Sequence, residues 1–232
     1  MNLYGVYKKL FATYGAQGWW PLTACGATGA AESVSSHGYH PEDYTFPHND
    51  RQRYEICLGA ILTQNTAWVN AEQALMRLHS LKSLSPKTIL HLAPHTLIWA
   101  VQPSGYYNVK AKKLRCFTRF WMTLQGTEPT RNQLLDVWGI GPETADSILL
   151  YAYGRHEMVV DAYTRRILAH LRFLPANCSY DQMKAFCTQH LPCDVPLYQE
   201  FHALIVEHAK HYYRRNPYTD PVLLPRNAGK NG

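Results

Sequence analysis

Long apolar runs are absent from this 232-residue sequence. No segment approaches the roughly 20 apolar residues that a transmembrane helix needs. The N-terminal stretch MNLYGVYKKLFATYG also lacks the apolar core of a signal peptide. We therefore expect a cytoplasmic protein that contacts no membrane. Because 46% of the residues are hydrophobic, the chain is able to bury a substantial core.

Segments typical of β-strands are scarce as well. The one β-rich stretch, Met158-Val159-Val160, is too short to build a sheet. The sequence shows no internal repeat or heptad pattern, which argues against a solenoid or a coiled coil. It therefore predicts an all-α fold.

The cysteine pattern argues against disulfides and metal sites. The six cysteines are scattered among apolar neighbours, as reduced core thiols usually are, and none falls in residues 194–232. Cys187, His190 and Cys193 are spaced along one helical face, but a tetrahedral zinc site needs a fourth ligand. We expect no bound metal.

A glycine turn between two short helical segments is the most informative feature of the chain. The turn is Gly139-Ile140-Gly141-Pro142, and Ala145, Ile148, Leu149 and Ala152 follow it at the spacing of one buried helical face. Glycine permits close approach of another backbone, and proline suits the first turn of a helix. Such a turn presents free N–H groups at a positive helix end, where a phosphate fits.

An isolated carboxylate, Asp161, follows this turn in Val159-Val160-Asp161. It precedes the apolar positions Ile167, Leu168 and Leu171, so one interpretation is a helix N-cap. The other is an ionised group that stabilises a cation during a reaction. The two roles are compatible, because bonds from helix-terminal N–H groups favour the charged carboxylate.

The segment over residues 134–168 resembles the helix-hairpin-helix DNA glycosylase superfamily, related to endonuclease III. In that superfamily a Gly-hydrophobic-Gly hairpin grips the DNA backbone and a downstream aspartate is catalytic. The resemblance implies that Gly139, Ile140, Gly141 and Thr144 contact DNA and that Asp161 performs the chemistry. It also implies two helical lobes with a cleft between them.

The resemblance extends to an earlier helix that ends in the polar sequence Gln64-Asn65-Thr66. It implies that Gln64 enters the gap left by a flipped nucleotide, with Asn65 beside it on the DNA. Without the family, the same residues are typical of an ordinary helix end followed by a turn.

Two departures from the endonuclease III branch bear on the reaction. Members that also cut the strand carry a nucleophilic lysine where this chain has Glu143, and a carboxylate forms no Schiff base. Many members hold an iron–sulfur cluster after the last helix, but residues 194–232 contain no cysteine. We expect no iron–sulfur cluster and a reaction in which water attacks the sugar.

Among the members without a cluster, the chain most resembles the bacterial 3-methyladenine DNA glycosylase branch. The resemblance implies a base pocket formed by Trp20, Pro21 and Tyr54, with Lys210 contributing from the final helix. Electron-rich rings attract a positively charged methylpurine. For the Trp19-Trp20-Pro21 segment, an ordinary hydrophobic corner is the alternative.

The lobes can be assigned along the chain. We expect one lobe from residues 1–54 and 161–232, with a long loop over 22–53, and another from residues 55–160 that ends in the helix-hairpin-helix at 131–153. The loop joins two predicted pocket walls, and two roles stay open for it, a lid or a segment that shifts specificity.

The net charge of +6 and a pI near 9.0 suit a polyanionic partner. The sequence predicts one basic cluster, whose members are Lys110, Lys112, Lys113, Arg115 and Arg119. We expect a monomer that acts on double-stranded DNA with damaged bases and associates with the nucleoid.

The resemblance implies a monofunctional DNA glycosylase of base excision repair that flips and hydrolytically releases alkylated purines such as 3-methyladenine. A glycosylase for another damaged or mismatched base, possibly one with AP-lyase activity, is the first alternative. A DNA-binding module without catalysis is the second.

Overall fold

The computed structural model describes residues 1–23 and 37–224. All regular secondary structure in these two ranges is helical, which confirms the predicted all-α class. Within the same ranges, no helix is both long enough and apolar enough to cross a membrane. In chain order the α-helices are α1 (Leu3–Tyr14), α2 (Asp50–Leu62), α3 (Trp68–Ser80), α4 (Pro86–His91), α5 (Pro94–Val101), α6 (Tyr107–Thr123), α7 (Arg131–Leu135), α8 (Pro142–Ser147), α9 (Ala162–His170), α10 (Tyr180–His190) and α11 (Val195–Tyr212).

Local signals in the sequence explain where several helices begin. Thr130 before α7 and Ser179 before α10 each accept a backbone N–H bond, and Gln133 and Gln182 reach back to complete capping boxes. Pro142 occupies the first turn of α8, where its missing N–H costs nothing. Beyond Ser147, α8 continues as a π-helical segment over Ile148–Ala152.

The chain forms two compact units. The first unit consists of Met1–Gln17 and Met158–Gly232. In it α1 packs against α11, and the buried side chains of Leu3, Val6 and Leu10 lie on the same side of α1. The long helix α11 is buried along most of its length, which makes it the core of this unit.

The second unit is Gly18–Glu157, and α2 lies at its centre. All nine residues from Tyr54 to Leu62 are buried, because α3, α6 and the π-helical segment surround the helix. A helix that is enclosed in this way holds its C-terminal end, and therefore Gln64, in a defined place.

The boundary between the units differs from the predicted one. Residues 18–54 had been assigned to the lobe that contains the C-terminal helices, but they belong to the unit with residues 55–157. The predicted loop over 22–53 also ends earlier, because α2 begins at Asp50. Leu22 N–H donates to the Gly38 carbonyl and His40 contacts the Trp20 carbonyl, which fixes this segment to its own unit. Residues 24–36 of the predicted loop lie outside the described residues.

Candidate functional site

The glycine turn connects α7 to α8 in the second unit. Gly139 has a φ of 89°, in the left-handed region that favours glycine. Ile140 is buried, and its N–H closes the turn on the Val137 carbonyl at 3.0 Å. Gly141 is the N-cap of α8, and as a glycine it makes no side-chain capping hydrogen bond. The predicted helix–hairpin–helix geometry is therefore present, and neither glycine adds a side chain to the hairpin.

An ion pair joins the two helices of this motif. Arg131 at the start of α7 donates from Nε to Asp146 Oδ1 at 2.7 Å, and the Asp146 side chain is fully buried. Only about a quarter of the Arg131 side chain is exposed, at 28%. The pair holds α7 against α8 on the side away from the turn.

Gln64 contacts the hairpin directly. Its amide nitrogen donates to the Gly139 carbonyl at 3.1 Å and to Thr144 Oγ1 at 2.9 Å. Its amide oxygen accepts a hydrogen bond from the Lys113 ammonium. The structure thus brings Gln64, Gly139 and Thr144 together, with Gln64 lying on the hairpin. Asn65, the next residue, is exposed and has a left-handed backbone with φ 55°.

The predicted basic cluster is only partly a surface feature. Lys110 is 2% exposed, and its ammonium donates to the Leu62 carbonyl at 2.8 Å and the Ser104 carbonyl at 2.5 Å. Burial, with a smaller contribution from the charge of Lys113, lowers the pKa of Lys110 to about 8. Including Lys110 in the DNA-facing cluster was wrong, because its side chain is buried. It connects the C-terminal end of α2 at Leu62 to the turn at Ser104.

Lys112 belongs to the surface beside the hairpin. Its ammonium lies 4.1 Å from the ring centroid of Trp138, a side chain that is 48% exposed. Positive charge combined with exposed aromatic rings is a feature of surfaces that bind single-stranded nucleic acid.

Trp20 lies in a cluster of aromatic rings within the second unit. Its ring is edge-on to Trp68 at 5.5 Å and to Tyr151 at 5.2 Å between centroids. Gly59 permits this arrangement, because a Cβ there would lie 2.8 Å from Trp20 Nε1. The indole N–H of Trp20 is buried and finds no acceptor within residues 1–23 and 37–224. Pro21, the next predicted pocket residue, is buried too.

Sequence reasoning missed Trp68 and Tyr151 as the neighbours of Trp20. Their ring contacts join three segments that are far apart in the chain. The only signal was the aromatic character of these two residues at the ends of apolar helical patterns.

Tyr54 lies in the core of the second unit and borders a surface pocket that Trp121 also lines. It is 1% exposed, its hydroxyl is hydrogen-bonded to Thr118 Oγ1 at 2.6 Å, and its ring packs against Phe117 and Trp121. Burial raises the pKa of the phenol. Tyr54 packs between α2 and α6, and its aromatic neighbours differ from those of Trp20. Its predicted place in the base pocket stays a prediction.

Asp161 is the N-cap of α9 in the first unit. Its Oδ1 accepts from the Thr164 N–H at 2.7 Å and from Thr164 Oγ1 at 2.8 Å, and Thr164 Oγ1 in turn accepts from the Asp161 N–H. Oδ2 has no hydrogen-bond partner among the residues that the structure describes. The carboxylate is half-buried, and one of its oxygens is fixed while the other is free.

His202 of α11 lies near this carboxylate. The imidazole is buried, and burial lowers its pKa, with the negative charge of Asp161 opposing the shift. His202 is therefore a neutral neighbour of Asp161 at pH 7.

Lys210 lies at the exposed end of α11. Its ammonium donates to Glu207 Oε2 at 2.8 Å, and 41% of its side chain is exposed. Its predicted place in the base pocket stays a prediction, and an ion pair with Glu207 is its contact in the described structure.

A buried polar network ties the C-terminal tail to α11. The Asp220 carboxylate accepts from His208 Nε2 at 2.8 Å, from the Tyr213 hydroxyl at 2.7 Å and from the Leu223 N–H at 2.8 Å. Burial alone would raise the pKa of Asp220, but these hydrogen bonds outweigh burial and lower it. Sequence reasoning missed this network, which joins residues with no apolar or motif signal.

This tail is where many members of the resembled superfamily hold an iron–sulfur cluster. The residues present do not fit such a group, because residues 194–232 contain no cysteine. Across residues 1–23 and 37–224, no group of three or more His, Cys, Asp or Glu side chains is arranged to hold a metal ion.

Comparison with known sequences identifies the family. Residues 58–193 match the family model of HhH-GPD superfamily base excision DNA repair proteins. A chain of Methanocaldococcus jannaschii named as a DNA repair glycosylase is 38% identical over 229 residues, or 94% of this chain and 91% of that one. Endonuclease III of Sulfolobus acidocaldarius is 26% identical over 180 residues, or 75% of this chain and 80% of that one.

Solved structures agree with this result. The H. pylori 3-methyladenine DNA glycosylase MagIII, bound to 1,N6-ethenoadenine, has a TM-score of 0.69 and 26% identity, covering 90% of this chain and 98% of its own. An endonuclease III–DNA complex has a TM-score of 0.66 at 18% identity, covering 74% and 81%, and shares the fold. The resemblance drawn from the sequence is confirmed: the chain belongs to the HhH-GPD superfamily of base excision DNA repair proteins and is a DNA N-glycosylase.

Proposed function

We propose that this glycosylase is monofunctional and releases alkylated purines, such as 3-methyladenine, from duplex DNA by hydrolysis. The observation that carries the proposal is the state of the Asp161 carboxylate. Thr164 holds Oδ1 with two hydrogen bonds, while Oδ2 is free of hydrogen bonds from the described residues. A carboxylate fixed in this way is preorganised to stabilise the cationic sugar that forms as the base leaves.

The reaction begins at the hairpin. The backbone N–H groups around Gly139 and Gly141 bind a phosphate, and the damaged nucleotide leaves the stack while Gln64 fills the gap. Flipping costs a few kcal/mol and is easiest for a weakly paired, damaged base. A purine methylated at N3 or N7 is a good leaving group because it carries positive charge, so no strong general acid is needed for its release.

Substrate choice rests on the aromatic cluster around Trp20. Rings of this kind attract a cationic base by roughly 0.5 to 2 kcal/mol, depending on how far the cation is desolvated. The H. pylori relative was crystallised with an alkylated purine, 1,N6-ethenoadenine, which supports a purine pocket in this chain.

The proposal also covers the partner, the oligomeric state, the location and the cofactor content of the protein. The protein acts as a monomer on damaged double-stranded DNA in the cytoplasm, without an iron–sulfur cluster. Two observations support the last point: residues 194–232 contain no cysteine, and hydrogen bonds to the Asp220 carboxylate hold the segment after α11.

Release of bases from a panel of duplexes tests the proposal. Each duplex carries one lesion: 1,N6-ethenoadenine, 7-methylguanine, an oxidised pyrimidine, or a uracil or thymine mismatched with guanine. Alkali after the reaction reveals abasic sites. We expect release of alkylated purines only. Preferential release of a pyrimidine would contradict the proposed substrate class and leave the glycosylase assignment standing.

Glu143 leads to a prediction about strand cleavage. Because a carboxylate forms no Schiff base with the sugar, borohydride added during base release should trap no protein–DNA adduct. The strand should stay intact until alkali is added. The informative control is the variant Glu143→Lys, in which trapping should appear if the hairpin position faces the sugar. Efficient trapping by the unmodified protein would contradict the monofunctional assignment.

Trp20→Leu tests the role of the aromatic cluster. The change removes the π-system but keeps apolar bulk, and stacking is worth about 1 to 3 kcal/mol per base. Release of cationic methylpurines should therefore fall more than release of neutral 1,N6-ethenoadenine. The ratio of the two rates is the measured quantity, because partial unfolding lowers both rates equally. Trp99→Leu, at an exposed tryptophan outside the cluster, is the control. If Trp20→Leu leaves the ratio unchanged, the Trp20 ring packs in the core and does not recognise the cationic base.

A further inference from the structure

The side chains of Lys113 and Gln64 are hydrogen-bonded to each other beside the hairpin. The Lys113 ammonium donates to the amide oxygen of Gln64, and the amide nitrogen of Gln64 donates to Gly139 and Thr144. Both ends of the Gln64 amide are therefore engaged in the protein without DNA.

The position of Lys113 is set by the glycine of the turn. Its aliphatic stem runs along Gly139, where a Cβ would lie 2.6 Å from Lys113 Cγ. The ammonium therefore lies beside the hairpin, where it donates to the Gln64 side chain.

The Lys113 cation is poorly satisfied in this arrangement. An ammonium has three donors, yet Gln64 is its single hydrogen-bond acceptor among the described residues. Partial burial lowers the pKa of Lys113, because the charged form is incompletely hydrated. A neutral amide oxygen is also a weaker acceptor than an anion, since charge-assisted hydrogen bonds are about twice as strong.

We propose that Lys113 binds a phosphate of the DNA backbone. Until DNA binds, the amide oxygen of Gln64 accepts the hydrogen bond of Lys113 in place of that phosphate. When the DNA backbone reaches the hairpin, the Lys113 ammonium exchanges the Gln64 oxygen for a phosphate oxygen. Gln64 then loses one of its three hydrogen bonds and leaves the hairpin more easily. The inference rests on the proposed roles of the hairpin and Gln64, and it adds the residue that couples backbone capture to release of Gln64.

In the proposed exchange, Gln64 and the phosphate compete for the Lys113 ammonium. Gln64→Ala removes the competitor, so undamaged duplex should bind more tightly by about three- to tenfold, the effect of one hydrogen bond. Linkage requires that this gain disappear when Lys113 is absent.

The test measures binding of a short undamaged duplex by fluorescence anisotropy over a series of salt concentrations. The variants are Gln64→Ala, Lys113→Met and the double variant, and methionine keeps the apolar stem on Gly139. Lys113→Met should weaken binding and reduce the salt slope by about 0.9, the loss of one phosphate contact. The double variant should bind as Lys113→Met does.

Lys112→Met is the matched control, because it removes the same charge from the adjacent residue, which contacts Trp138 and not Gln64. Gln64→Ala should still tighten binding in that background. The exchange is overturned if Gln64→Ala fails to tighten binding, or tightens it equally with and without Lys113. Undamaged DNA contains no lesion, so failure of the proposed substrate class would leave this result unaffected, and the lesion panel detects that failure separately.

Discussion

Asp161→Asn should lower the rate of base release by about 100-fold or more, the scale seen when a preorganised electrostatic group is lost. Asparagine caps a helix about as well as aspartate, so the bonds from Thr164 to the side-chain oxygen survive. What changes is the free oxygen, which becomes an uncharged amide nitrogen. Single-turnover release from alkylated duplex measures the effect, and anisotropy should show that DNA binding survives.

Asp194→Asn is the matched control for this change. Asp194 is the N-cap of α11, and its side chain accepts the Leu197 N–H at 2.7 Å, as Asp161 accepts that of Thr164. The substitution removes the same charge from the same kind of cap in the same unit. It should leave base release at the unmodified rate. Equal rates for Asp161→Asn and the unmodified protein would make Asp161 a cap and nothing more.

Arg131→Met should destabilise the protein by about 3 kcal/mol. The Asp146 carboxylate is fully buried, and replacing Arg131 removes the guanidinium that donates to it at 2.7 Å. Breaking a buried pair at one partner costs about 3 to 5 kcal/mol, and the lower end applies because Arg131 keeps part of its surface in solvent. Denaturant unfolding measures the loss.

The pair of Arg155 with Glu128 provides the comparison, since 60% and 45% of these side chains are exposed. Arg155→Met should cost no more than about 1 kcal/mol, as for other surface ion pairs. If Arg131→Met costs no more than Arg155→Met, the Arg131–Asp146 pair does not hold the motif together. Restoring stability with Asp146→Leu in the Arg131→Met background would confirm that the carboxylate is the source of the cost.

The sequence predicted best where local chemistry decides the structure. Gly139, Pro142 and Asp161 act through backbone geometry and capping, which depend on a few neighbouring residues, and the structure places a left-handed glycine, a first-turn proline and an N-cap at these positions. The all-helical class followed for the same reason, because apolar spacing is a local property.

Burial and pairing between distant segments were predicted least well. Tyr54 and Lys110 have residue types that are typical of a pocket and of a surface, yet α2 and α6 enclose them both. Whether a side chain on a helix faces the core depends on what packs there, and a single sequence does not contain that information. The contact of Gln64 with Lys113 is another case, since 49 residues separate them.

The tail after α11 shows how a buried network escapes sequence reasoning. The absence of cysteine indicated that no cluster is held there, but not what replaces it. Asp220 is 12 residues from His208 and 7 from Tyr213, and no motif connects them. Hydrogen bonds from both side chains give this segment a fixed place against the helix.

Hydrolytic release of alkylated purines is tested most directly by one reaction on duplex DNA that carries methylated purines. The released bases are separated by chromatography, and the strand is sized before and after alkali. Hydrolytic release predicts free 3-methyladenine, a strand that is intact before alkali, and breaks at purine positions after alkali. Release of no methylated purine, or a strand already cut before alkali, would contradict it.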